Sequence, residues 1–137
     1  MAEALEKIDY RMKPARNFRD LIAWQSAYRL TLYVYDLAKG FPNSEVYCLT
    51  SQIKRASVSI TSNIAEGFGR RTRNEKDNFY SIAHGSLTEV ENQLIIAQGV
   101  GYITITQFEN AEKLFVETHK LLYGLRKANK GKEKDLC

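Results

Sequence analysis

The sequence predicts an all-α protein, an antiparallel up-down-up-down four-helix bundle, on three observations. Apolar residues recur at intervals of three and four through four separate stretches of roughly twenty residues, the period of an amphipathic helix. Only two prolines and eight glycines occur in 137 residues, which favours long helices over many short strands. The breaks between the stretches are short, so consecutive helices become antiparallel neighbours. A chain of this length forms one domain with a real core, and no internal repeat divides it.

Residues 1–16 read as a charged arm ended by Pro14, residues 17–129 as the bundle and residues 130–137 as a basic tail. The first helix is expected at about 20–39, with Asn17 or Asp20 as its cap and Leu21, Trp24, Tyr28, Leu32 and Tyr35 spaced along one face. Gly40, Phe41, Pro42 and Asn43 stop it, since proline cannot continue a helix. Ser44 is a natural cap for a second helix over about 45–68. Thr72 with Glu75 makes a capping box before the third, about 73–98, whose apolar row is Phe79, Ile82, Ala83, Leu87, Val90, Leu94 and Ala97. After a turn at residues 99–102, Thr106 and Glu109 form a second capping box. The fourth helix, about 106–128, carries Phe108, Ala111, Leu114, Phe115, Thr118, Leu121, Leu122 and Leu125. From Asn129 the chain is lysine-rich and is expected to fray.

Apolar and charged fractions of 44% and 26% are those of a soluble globular protein. No stretch approaches the ~20 apolar residues of a membrane span. The N-terminus lacks an apolar signal core, so a cytoplasmic location and no membrane partner are expected. Cys48 and Cys137 are too far apart in sequence to read as a disulfide framework or a metal-ligand pair. The net charge is +4, and its distribution says more than its sum. Arg70, Arg71, Arg73 and Lys76 follow Gly67-Phe68-Gly69, and Lys120, Arg126, Lys127, Lys130, Lys132 and Lys134 fill the end of the chain. Such clusters either hold phosphates or serve the helix dipole and solubility.

Catalytic signatures are missing. Neither His84 nor His119 follows a glutamate by three residues, as a di-iron bundle requires, and Glu117 precedes His119 by only two. Gly-x-Ser-x-Gly and phosphate-loop motifs are absent, as is an arginine four to six residues before either histidine. No catalytic residue, metal or cofactor is assigned, and the expectation is a protein that is not an enzyme. Both histidines are placed at helix contacts or in solvent.

A polar seam stands out instead. Gln52, Arg55, Ser59, Asn63 and Glu66 follow one another at spacings of 3, 4, 4 and 3, on one face of the second helix. Beside it runs the core row Leu49, Ile53, Ala56, Ile60 and Ile64. The third helix has a companion stretch with Gly85, Ser86 and Glu89. A glycine inside a helix costs about 1 kcal/mol relative to alanine, which is tolerable where another backbone approaches closely. If the charges are partly buried, Glu89 would pair with Arg55, and Arg70 or Arg71 with Glu66. The preferred reading is that the seam orders a polar layer at a subunit interface while also shaping the bundle; the alternative is that it only fixes helix register within one bundle, and a ligand-binding role takes a smaller share.

The strings FRDLIAWQSA, FPNSEVYCLTSQIKRASVSITSNIAEG and GSLTEVENQL resemble the four-helix-bundle family of 23S rRNA intervening-sequence proteins. The likeness covers residues 18–129, with Leu49-Thr50-Ser51-Gln52, Arg55-Ala56, Ser59 and Asn63-Ile64-Ala65-Glu66-Gly67 as its ordered signature; Cys48 departs from the glycine common there. The resemblance implies a bacterial protein encoded within, or apart from, insertions in large-subunit ribosomal RNA genes. It also implies similarity to the accessory variability protein of diversity-generating retroelements, a basic bundle that binds nucleic acid and a reverse transcriptase. Homopentameric rings are implied as well, and no established catalytic activity.

Joined to the charge pattern, these expectations describe an oligomeric, non-enzymatic bundle that binds nucleic acid, RNA above all. The phosphate contacts would be Arg70, Arg71, Arg73, Lys76, Arg126, Lys127 and Lys130. Phe68, Phe79, Tyr80 and Tyr123 lie near them, as core residues or as platforms for unpaired bases. The alternative is an interaction scaffold that recruits a reverse transcriptase or another protein partner.

Overall fold

The computed structural model describes residues 14–135, with side chains through Gly131. Four helices carry the fold: α1 (Ile22–Ala38), α2 (Leu49–Phe68), α3 (Arg73–Gly99) and α4 (Ile105–Asp135). Two single 3-10 turns, Phe18–Asp20 and Asn43–Glu45, precede α1 and α2. Packing is most extensive between α2 and α3; α1 touches α2 and α4, and α3 touches α4, while the diagonal pairs do not approach. Each helix therefore lies beside the next in the chain and the fourth closes on the first. That is the up-down-up-down bundle the spacing predicts. No strand occurs among the described residues, and no described helix is long and apolar enough to cross a membrane. Residues 1–13 of the predicted arm and 136–137 of the tail lie outside the described residues.

The core draws Ala23, Ala27, Leu30, Val34 and Leu37 from α1; Ile53, Ala56, Ile60 and Ile64 from α2; Ala83, Leu87, Val90, Leu94 and Ala97 from α3; and Ala111, Leu114, Phe115 and Leu122 from α4. For α2 and most of α3 and α4 these are the predicted rows, although Ile82 stands 53% exposed. On α1 the prediction takes the wrong face. Tyr28 and Tyr35 are 44% and 39% exposed, and Leu21, Trp24 and Leu32 only half-buried. Apolar and aromatic residues occupy more than one face of α1, so two rows share the helical period. The row with alanines at 23 and 27 turns inward because small side chains let the neighbouring helices close up. The aromatic row is left outside, with Trp24 stacked on Tyr28 at 5.2 Å and Phe18 edge-on to Trp24 at 5.3 Å.

Buried hydroxyls pin the helices in register. Ser26 of α1 and Thr118 of α4 share a hydrogen bond of 2.7 Å, and Thr31 donates to the Ser57 carbonyl of α2 at 3.0 Å. Both pairs are satisfied inside the core, where an unpaired hydroxyl would cost about 1–3 kcal/mol.

Helix ends depart from expectation in three places. Ser44 does not cap α2: residues 43–45 form a 3-10 turn and the helix begins at Leu49. Glu45 is drawn away by the Tyr102 hydroxyl, which donates to its carboxylate at 2.8 Å, and Phe41 packs against the same ring. The α4 capping box is Thr104 with Gln107, two residues before the predicted Thr106 and Glu109; Gln107 N–H donates to Thr104 Oγ1 and Thr104 N–H to Gln107 Oε1. Helix α4 also continues past Asn129 to Asp135, in a run dominated by strong helix formers. The Thr72–Glu75 box of α3 forms as expected. At the other end of α3, Gly101 takes φ 86°, so that its N–H reaches the Gln98 carbonyl and the Tyr102 N–H reaches Ala97.

Candidate nucleic-acid interface

Antiparallel packing carries the end of α2, the start of α3 and the late turns of α4 to one end of the bundle. The two basic clusters, far apart in sequence, meet there: Asn129 of α4 donates to the Arg73 carbonyl of α3 at 3.0 Å. Not every cation is equally available. Arg70 pairs with Glu66 at 3.1 Å and lies over the Phe79 ring, 4.6 Å from its centroid. Lys76 Nζ donates to the Phe68 carbonyl at 2.6 Å and so closes the C-terminus of α2. Arg71, Lys127 and Lys130 are exposed and Arg73 half-buried; none makes an ion pair within 4 Å among the described residues, though the charge of Lys130 reaches Asp77.

Arg126 is committed inside the chain. Its Nε and Nη2 donate to the two carboxylate oxygens of Asp77 at 2.9 and 3.3 Å, a fork-to-fork pair. Its Nη1 donates to Nδ1 of His84 at 2.9 Å. A guanidinium only donates, so His84 accepts there and carries its proton on Nε2, which donates to Nδ1 of His119 at 3.2 Å. The histidines thus lie on the α3–α4 contact as the third and fourth members of one polarised chain that starts at Asp77 and Arg126. Sequence reading missed Asp77; its signal is the seven-residue spacing to His84, which sets both on the α4-facing side of α3. A metal on His84 Nε2 would force a proton onto Nδ1, facing Arg126. Among the described residues no group of three or more His, Cys, Asp or Glu could hold a metal ion.

The chain of bonds makes stability pH-dependent. Burial holds the His84 pKa below its usual 6.5, helped by the neighbouring His119 and Arg126. A depressed pKa in the fold means that protonation opposes folding. The contribution is fully present above about pH 6.5 and is lost as pH falls through the lower folded value. The Arg126 hydrogen bonds likewise hold Asp77 below 3.8, and its contribution disappears at more acid pH still. Thermal melting between pH 7.5 and 5 is expected to fall for the native chain and to flatten in His84→Gln.

Between the basic residues opens a cleft of about 710 Å³. Leu21, Phe68 and Leu125 line it from three sides, Arg71 and Arg73 stand at its edge, and Tyr80 lies in its wall. Gly67 shapes that wall. A Cβ there would sit 2.6 Å from Tyr80 Cε1 and 3.1 Å from the Lys76 carbonyl, so only glycine lets the ring lie against α2. Burial pushes the Tyr80 pKa up to about 12, which keeps its hydroxyl protonated and able to donate. A smaller cleft of about 400 Å³ lies among Tyr123, Arg126, Lys127 and Lys130.

The polar seam lies along the α2–α3 contact. Ser59 and Ser86 share a hydrogen bond of 2.8 Å, and Asn63 Nδ2 donates back to Ser59. The expected Arg55–Glu89 pair does not form within the chain. Both are exposed, on a cleft of about 340 Å³ also lined by Gln52 and Tyr47, and Glu89 accepts from Gln93 one turn on. The expected Glu66–Arg70 pair does form. Gly85 is exposed and nothing among the described residues lies within 4 Å of a Cβ built there, so no other described helix brings its backbone close.

The 23S rRNA-intervening sequence protein family model matches residues 19–124, most of the bundle. The chain belongs to that family. A solved structure from Bacteroides thetaiotaomicron, a protein of unknown function from the S23 ribosomal protein family, resembles it with a TM-score of 0.71 at 26% identity. The likeness covers 77% of this chain and 98% of that one. No curated protein matches the chain. The 23S rRNA-intervening sequence protein match takes in the seam and the α2–α3 cations and stops before Arg126, Lys127 and Lys130.

Proposed function

We propose that the chain is a non-enzymatic, oligomeric nucleic-acid-binding protein that grips phosphates with the basic end of each bundle. What carries this reading is the convergence there of Arg71, Arg73, Lys127 and Lys130, cations from α3, α4 and the loop before α3 that make no ion pair within 4 Å among the described residues, although Lys130 lies near enough to Asp77 to feel its charge. Arg70, Lys76 and Arg126 support the site from behind, through Glu66, the α2 carbonyls and Asp77. RNA is the favoured ligand.

A homopentameric ring is the favoured assembly, following the family resemblance. Arg55 and Glu89, exposed and without an ion-pair partner among the described residues, offer opposite charges to a neighbouring copy, and open space over Gly85 lets one come close. Five copies at +4 each carry +20, which turns a modest charge into a strong field. A second reading has its own support. The stack of half-buried Trp24 on exposed Tyr28 suits the aromatic anchors of a protein interface, so the chain would recruit a partner such as a reverse transcriptase.

Fluorescence anisotropy with structured RNA and with DNA at rising salt tests the first reading. Micromolar or tighter binding with a steep salt slope is expected. Absence of binding at low salt rejects it. Light scattering that returns a mass near 15.7 kDa at micromolar concentration removes the ring.

A further inference from the structure

We propose that the cleft at the basic end is a nucleotide site, holding one unstacked base against its apolar wall and the attached phosphate on Arg71 and Arg73. The proposal rests on reading this end as the nucleic-acid interface and says which part of the ligand it takes. A volume of about 710 Å³ lies within the roughly 300–1,000 Å³ of small-molecule pockets. Leu21, Phe68 and Leu125 would stay in contact with water around a bare anion, whereas a base covers them. A duplex backbone cannot carry a base into such a cleft, because its bases are stacked and paired inside the helix.

Tyr80 supplies an independent observation. The residue is only 2% exposed, yet its hydroxyl has no hydrogen-bond partner among the described residues. That oxygen is not among the sealed, partnerless atoms of the core, as Thr50 Oγ1 and Gln93 Oε1 are, and Tyr80 is one of the residues that line the cleft. A hydroxyl that water reaches and no side chain or carbonyl of the described residues engages is free to bond a ligand oxygen or ring nitrogen in the water's place. Gly67 maintains the arrangement by leaving room for the Tyr80 ring.

The ligand is either a free mononucleotide or an unpaired residue of a nucleic acid. Anisotropy would compare a blunt RNA hairpin with the same hairpin bearing a short single-stranded overhang, on the full chain at fixed salt. Calorimetry would compare adenosine monophosphate with inorganic phosphate. The overhang is expected to bind about tenfold tighter than the blunt hairpin. Tyr80→Phe removes only the partnerless hydroxyl, so the fold and blunt binding stay unchanged while about three- to tenfold of the overhang's advantage disappears. Equal affinity for blunt and overhanging RNA, or an overhang advantage untouched by Tyr80→Phe, overturns the nucleotide site and leaves phosphate binding standing. If neither RNA binds, the nucleic-acid reading fails and calorimetry decides the site. Monophosphate binding weakened by Tyr80→Phe upholds it as a free-nucleotide site. No binding of the monophosphate, or phosphate binding equally well, overturns it.

Discussion

Replacing Arg71, Arg73, Lys127 and Lys130 together by glutamine is expected to lower affinity for duplex RNA or DNA by about a thousandfold at 0.1 M salt. Each phosphate contact adds about 0.9 to the slope of log affinity against log salt on a duplex, so four removed contacts flatten that slope by about 3 to 4. Anisotropy over a salt series reads both numbers at once. Stability should hardly change, since these side chains make no ion pair among the described residues and surface substitutions of this kind stay within about 0.5 kcal/mol each. Arg126→Gln is the contrasting variant. It breaks the fork with Asp77 and strips the donor from His84, so it should lower the melting temperature and change the salt slope by less than one contact. An unchanged slope in the fourfold variant would place the phosphates elsewhere.

Two glycines are expected to respond with opposite signs. Gly67→Ala gains about 1 kcal/mol of helix propensity, but its methyl would stand 2.6 Å from the Tyr80 ring and 3.1 Å from the Lys76 carbonyl. The ring is nearly fully buried and the carbonyl belongs to the backbone of α3, so neither yields by a simple rotation. Overpacking of this kind costs about 1–3 kcal/mol or more, and a net loss of about 1–2 kcal/mol is expected. Gly85→Ala meets nothing within 4 Å and should stabilise the isolated chain by about 1 kcal/mol. Urea unfolding measures both. Should Gly85→Ala instead weaken self-association in light scattering, open space at Gly85 serves a neighbouring copy.

Much of the architecture is legible in the sequence because it depends on local signals. The period of three and four, the Thr72–Glu75 box and the glycines at 99 and 101 act within a turn or two, and α3 begins where they put it. Prediction fails where distant residues compete. Ser44 loses α2 because Tyr102, fifty-seven residues beyond Glu45, takes the Glu45 carboxylate. The aromatic row of α1 loses the core because small residues at 23 and 27 pack more closely. The candidate site divides in the same way. All seven cations were legible as charges, but which of them are spent within the fold was not. That depends on Asp77 lying opposite Arg126, across forty-nine residues of chain.

The sequence by itself determined the class of fold, the number of helices and their antiparallel order. Those properties follow from the hydrophobic period within each stretch and the shortness of the breaks between stretches, both read along the chain without any distant contact. Only the tertiary structure decided which cations stand without an acid, that Gly67 rather than Gly85 is the tight glycine within the chain, and that Tyr80 lies at a cleft with its hydroxyl unmatched. These depend on the rotation and axial register of each helix against its neighbour. A shift of one residue, about 100° of turn, exchanges a buried side chain for an exposed one.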